Sequence, residues 1–379
     1  MRKFLIILFV LFSQAVFAEE ITWTQSTASA AFTPHSGYAS LTFDAKVWTI
    51  STGSGPGYAE VWYSSNGADW TLATGNAEFG KRAHTRALSF DNKMWIFGGI
   101  GVEDEIGIEY NDVWNSTDGI EWTAVTRNAE FSSRAWHEVL VYDNKMWVLG
   151  GSGESIYYND VWYSSDGVSW GCTTTAAAWM PRHFFAATVY DNKMWIFGGQ
   201  SNISPNYLND VWYSSDGASW TEATSSAGFH SRYAHAATVF NNRMQIMGGF
   251  YNGVTYNDVW WSTDGSTWNA DANAAWSTRE EIRAEVLSDK IYVIAGFNWP
   301  VAGAPALLND VWEGEQNSPT VTPTITETVT PTVTPYPQVT IVNDSTLKYY
   351  NQVAAPTPIT FTAGVRVESS SLDFKYYAD

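Results

Sequence analysis

Five arginines stand in one register along the chain: Arg82, Arg134, Arg182, Arg232 and Arg279. Seventeen residues after each comes a glycine: Gly99, Gly151, Gly199, Gly249 and Gly296. Guanidinium groups gathered on an acidic protein would hold a carboxylate ligand or an acidic side chain, because the planar fork matches two carboxylate oxygens. The same residues admit a second chemistry. Asp112, Asp160, Asp210, Asp258 and Asp310 also recur in register, and where His35 replaces the arginine the matching aspartate becomes Glu60. Residue types that change together read as ion pairs inside the fold, and such pairs can imitate a site. Guanidiniums within hydrogen-bond reach of these carboxylates would rule out an anion ring.

Other side chains could also do chemistry. His84, His137 and His235 would bind a metal only if they converge. They stand at unequal offsets from their arginines and in separate copies, so neither a metal nor another cofactor is expected. Segment 279–287 reads REEIRAEVL where the other copies are mostly small and apolar. Glu280, Glu281, Arg283 and Glu285 therefore stand out, and Glu281 is a candidate binding residue. Arg86 and Glu138 share the column of Arg283 and are expected to pair between neighbouring copies. The length-variable segments are rich in aromatic residues, among them Tyr158, Tyr207, Tyr251 and Trp299. Exposed rings suit the apolar faces of sugars or a protein hot spot; the alternative is that they pack on one another. Cys172 is the only cysteine. It permits no internal disulfide and is expected to be buried as a small hydrophobe.

These residues are positioned by a repeat. NDVWYSSDGVSW at 159–170 returns at 209–220 as NDVWYSSDGASW. From Asn111, Asn159, Asn209 and Asn257 the next anchoring tryptophan lies 11 residues on, and from Trp70, Trp122, Trp170 and Trp220 the next arginine lies 12 residues on. Each unit reads as four short strands. Strand a starts at the arginine, a tight turn leads to strand b (as in KMWIFGG), and a variable loop leads to strand c (DVWYSS). An Asp-Gly turn then leads to strand d at the tryptophan. Four strands repeated six times predict an all-β, six-bladed β-propeller. The last copy ends at residue 316 without a fourth strand, whereas Trp23 precedes His35 by the same 12 residues. The N-terminal strand, near residues 21–26, is therefore expected to complete the last blade beside residues 310–313.

The Gly-Gly doublet after an apolar strand, followed by Tyr63/Trp70, Tyr163/Trp170, Tyr213/Trp220 and Trp261/Trp268 at the same spacing, resembles the Kelch repeat of galactose-oxidase-type propellers. The resemblance spans about residues 21–316 and implies a propeller whose b–c and d–a loops share one face. SSDGxxW also resembles the Asp-box of sialidases, one residue shorter. The enzymes of these folds are not matched at their working residues. Cys172 lies on an outer strand, away from any site for a crosslinked Tyr–Cys copper centre, and no Arg-Ile-Pro motif occurs. The expectation is a non-catalytic propeller that binds a protein or glycan through the variable face, an anionic group being among the ligands considered, and that acts as a monomer. A carbohydrate-active enzyme (sialidase-, sugar oxidase- or mutarotase-like) and a structural module of a larger surface protein stay open as alternatives.

The N-terminus predicts a protein located outside the cytoplasm. Residues 1–18 combine Arg2 and Lys3, an apolar stretch and small residues at Val16 and Ala18, the pattern of a secretory signal peptide. Secretion or display at the cell surface follows as the expectation, with no membrane span in the mature chain. A net charge of −19 over 379 residues without a basic run makes nucleic acid a poor partner. After the propeller (19–316), residues 317–338 are Thr/Pro-rich and read as a linker. Residues 339–379 alternate like strands and resemble the start of an Ig-like domain, a partial β-sandwich too short for the roughly seven strands of such a fold.

Overall fold

The computed structural model describes residues 20–51, 59–103, 106–299 and 305–316, and two short strands at Val342–Asn343 and Thr346–Leu347 that pair with each other. The chain divides into two units, 1–320 and 321–379. The expected leader and linker lie outside the described residues, as does most of the expected Ig-like segment. All regular structure among the described residues is β, and no helix there is long and apolar enough to cross a membrane.

The first unit holds six four-stranded antiparallel sheets. In blade 3 the strands run Glu138–Tyr142 (a), Lys145–Gly153 (b), Ile156–Ser164 (c) and Gly171–Thr174 (d). The other blades follow the same order, and blade 5 adds a small hairpin, Phe250–Tyr251 with Val254–Thr255. Strand a of each blade lies beside strand a of the next, and that of blade 6 beside that of blade 1, so the ring is closed. Ile21–Thr27 supplies strand d of blade 6, antiparallel to Ala306–Gln316, with Trp23 opposite Gly314 and Gln25 opposite Trp312. Trp23 meets Trp276 edge-on at 5.9 Å. The closure expected from the 12-residue interval is the one observed.

Packing between blades accounts for the repeated phrase. Six apolar clusters form, each shared by two consecutive blades. The asparagine that opens the phrase donates from Nδ2 to two carbonyls of its own d–a connection, as Asn159 does to Ala177 (2.9 Å) and Trp179 (3.0 Å). The Asp-Gly turn fits against the preceding blade. Gly167 has φ +74°, and a Cβ on it would run into Trp95 of blade 2, so both backbone conformation and space demand glycine. The closing Trp170 is 5% exposed and donates from Nε1 to the Gly167 carbonyl at 3.2 Å. Burying a Trp of roughly 200 Å² contributes at most about 5 kcal/mol, so packing explains why the phrase recurs.

One boundary differs from the sequence expectation. Strand a begins four residues after the arginine, at Arg86, Glu138, Ala186, Ala236 and Arg283. The second residue after each arginine has positive φ, between +51° and +55°, which interrupts the extended chain before the strand can start.

Candidate functional site

The arginine column is structural. Arg134 Nη1 and Nη2 donate to Asp160 Oδ1 and Oδ2 at 2.7 and 2.8 Å, and Nη1 also reaches the Gly150 carbonyl at 2.8 Å. Arg82–Asp112, Arg182–Asp210, Arg232–Asp258 and Arg279–Asp310 repeat the pair at 2.6–2.7 Å. All five arginines are buried. Each aspartate also accepts a Trp Nε1, as Asp160 does from Trp162 at 2.7 Å. Tyr158 lies over the Arg134 guanidinium at 4.4 Å, and Tyr256 covers Arg232 in the same way at 4.6 Å. The anion-ring expectation for Arg82, Arg134, Arg182, Arg232 and Arg279 is thus corrected, because each fork is already filled by a carboxylate inside its own blade. Tyr158 covers one of these pairs and is half-buried. In blade 1, where His35 stands in the column, Glu60 accepts from Trp62 Nε1 at 3.0 Å. Burial lowers the His35 pKa to about 4.

Around the axis the structure reveals a column that the repeat alignment left unread. The second residue after each arginine, or after His35, is Gly37, His84, Trp136, Phe184, Ala234 or Glu281, all with positive φ. Their backbones form a chain of hydrogen bonds from blade to blade. His84 N donates to Gly37 O (2.5 Å), Trp136 N to His84 O (3.3 Å) and Phe184 N to Trp136 O (3.1 Å). Ala234 N then donates to Phe184 O (2.8 Å) and Glu281 N to Ala234 O (2.7 Å). Non-glycine residues at positive φ, Trp and Phe among them, mark backbone held against its preference, and such positions cluster at functional sites. The rings of His84, Trp136 and Phe184 meet at 4.9–5.6 Å. The signal was available in the sequence: beside a nearly invariant arginine, this column carries a different residue in every copy.

Two residues further along, the strands enclose an axial cavity of about 110 Å³. Alanines line much of it, with Arg86, Glu138, Arg283 and Glu285. Arg86 Nε donates to Glu138 Oε1 at 3.0 Å, the pair expected between blades 2 and 3. Burial, and then the facing Arg283, lower the Arg86 pKa to about 10. Glu285 accepts from Ser40 Oγ at 2.5 Å and Thr42 Oγ1 at 3.3 Å, and burial raises its pKa to about 7. Glu281 lies above, its Oε2 buried and without a partner. Burial raises its pKa too.

The b–c loops carry a second group of residues. Tyr207 stacks on Tyr233 at 5.7 Å and meets Tyr251 edge-on at 5.4 Å; Tyr233 continues to Phe184 at 5.7 Å. These rings are half-buried, so they both pack together and present one face outward. Trp299 is 45% exposed and donates from Nε1 to Glu280 Oε1 at 2.8 Å. Burial, and then Glu281, raise the Glu280 pKa to about 7. Beside the rings stand exposed aliphatic side chains: Ile156 (54%), Ile203 (50%), Val254 and Leu307. Sequence reading selected Tyr207, Tyr251 and Trp299 from this face but passed over the aliphatic tips, which no repeat column marks.

The remaining candidates separate. His137 and His235 are fully buried between blades and held neutral by burial, whereas His84 faces the axis. Among the described residues no three His, Cys, Asp or Glu side chains are grouped to hold a metal ion. Cys172 is exposed, contrary to the burial expected of it, because the outer strand leaves its side chain on the blade edge.

A family model, the KLHDC2/KLHL20/DRC7 Kelch-repeats domain, matches residues 86–296, more than half of the chain. The chain belongs to the Kelch-repeat family. The match runs from strand a of blade 2 into strand b of blade 6; the closed ring adds blade 1 and the two outer strands of blade 6. Among solved structures, "Structure of YjhT" superposes with a TM-score of 0.61 at 16% identity, over 76% of this chain and 96% of that one; that likeness speaks to the fold. No curated protein matches the sequence.

Proposed function

We propose that this Kelch propeller is a secreted, non-catalytic binding module, and that the face formed by its b–c and d–a loops takes a protein. The supporting observation is the row of exposed aliphatic tips, Ile156, Ile203, Val254 and Leu307, bordering the tyrosine cluster on one face. An exposed apolar patch on a soluble protein marks an interaction surface, and aromatic residues mixed with aliphatic ones suit a protein partner. A glycan is the second reading, favoured by the outward faces of Tyr207, Tyr251 and Trp299. The leader-like residues 1–18 support secretion. The arginines play no direct part in this reading, since each is spent on an aspartate.

The test uses the full chain against a glycan array and a displayed peptide library. Peptide binding without turnover, lost in Ile203→Asp and Tyr251→Ala but kept in Lys193→Ala on the opposite face, supports the proposal. Turnover of a bound sugar, or binding untouched by the loop variants, contradicts it.

A further inference from the structure

The distribution of charge indicates what kind of protein segment the variable face would take. Between residues 20 and 316 the repeat spends its basic residues elsewhere. Lys46, Lys93, Lys145, Lys193, Arg243 and Lys290 each open a strand b, so they stand at the a–b turns on the opposite face. There Lys46, Lys145, Lys193 and Lys290 pair with neighbouring carboxylates. The five column arginines are buried in ion pairs. Arg86 and Arg283 line the axial cavity. Lys81 and Arg127 remain, both on the connections that lead into blades 2 and 3.

The part of the face built by blades 3 to 6 is different. Among its described residues, the column arginines and axial Arg283 are the only lysine or arginine side chains, while Glu154 stands exposed at the tip of the blade 3 b–c hairpin, two residues before Ile156. Glu280 is buried, at 8% exposure, and accepts from the indole of the exposed Trp299. Tyr207, Tyr233 and Tyr251 form a ring cluster on this face. Carboxylates beside outward ring faces attract a cation twice over, by charge and by the ring quadrupole.

We propose that the blade 3–6 part of this face binds a basic protein segment, its lysines or arginines directed to Glu154 and its apolar side chains to Ile156, Ile203 and Val254. The proposal rests on the reading of this face as the binding surface. It also reverses the charge expected of the ligand, because the arginines that suggested an anion are neutralised internally.

The experiment uses three matched sets of immobilised peptides, identical except for lysine, glutamine or glutamate at the same positions, probed with the full chain. The lysine set is expected to bind about five- to tenfold tighter than the glutamine set at low salt, to weaken as salt is raised, and to lose that advantage in Glu154→Gln. Glu154 is exposed, so its variant reports on charge rather than on folding. Equal binding by all sets that is lost in Ile203→Asp overturns the charge assignment and leaves the face in place. Lysine-set binding that survives Ile203→Asp overturns the face itself. Preference for glutamate, or no binding by any set, overturns the proposal.

Discussion

Arg182 reaches Asp210 through two hydrogen bonds of 2.7 Å, with the guanidinium fully buried. Arg182→Ala would strand that carboxylate with Trp212 as its remaining side-chain partner, and breaking a buried pair costs about 3–5 kcal/mol. Urea unfolding should show a loss of that size, with a cost for Arg182→Ala/Asp210→Ala well below the sum of the singles. A loss under 1 kcal/mol would return the arginine to the list of free ligands. The carboxylates on the axis supply a second prediction. Burial raises the folded pKa of Glu285 above its ordinary 4.5 to about 7. Its contribution is therefore fully present below pH 4.5 and is lost as pH rises through 7. Glu285→Gln should melt higher than wild type at pH 8, with the gap closing toward pH 5. The histidines act oppositely: burial lowers His35 and His183 to about 4, so their contribution is present above pH 6.5 and lost as pH falls toward 4. At this scale the Arg–Asp pairing was legible, since His35 and Glu60 change together. The axial column was legible only as a variable position beside the arginine; its left-handed backbone was not, because positive φ in His84, Trp136 or Glu281 contradicts the ordinary preference of those residues.

Trp23 shows how much of the element scale the repeat carries. Its interval to His35 predicted strand d of blade 6, and the strand is there, opposite Gly314. Trp23→Ala should cost about 2 kcal/mol, less than a fully buried Trp, because the ring is half-buried against Trp276. Limited proteolysis should then cut first within Ala306–Gln316, the strand left with a weakened edge partner. Cleavage first in another blade would mean that closure does not depend on this contact. The start of strand a was misread for a physical reason. Segment 232–240, RYAHAATVF, alternates well enough to be extended throughout, but the interblade bond from Ala234 N to Phe184 O turns the chain at its third residue. A tertiary contact set that boundary, and no local pattern announces it. The aliphatic tips Ile156 and Ile203 were missed for a related reason: they lie in the length-variable segments, where alignment of the copies gives no register.

At the scale of the whole propeller, the two faces divide the labour. Turns on one face hold the paired lysines, the glycines that fit against the tryptophans of the preceding blade, and two exposed aliphatic residues, Ile120 and Val168. Loops on the other carry the rings, the aliphatic tips and the exposed Glu154. The central claim is that the second face is where a partner sits. Hydrogen exchange of the full chain with and without its tightest-binding lysine peptide tests this most directly. The account predicts slowed exchange confined to residues 153–157, 200–208, 249–257 and 297–299, with the a–b turns at 143–145, 191–193 and 241–243 unchanged. Slowing at those turns, with the b–c loops unaffected, would contradict it.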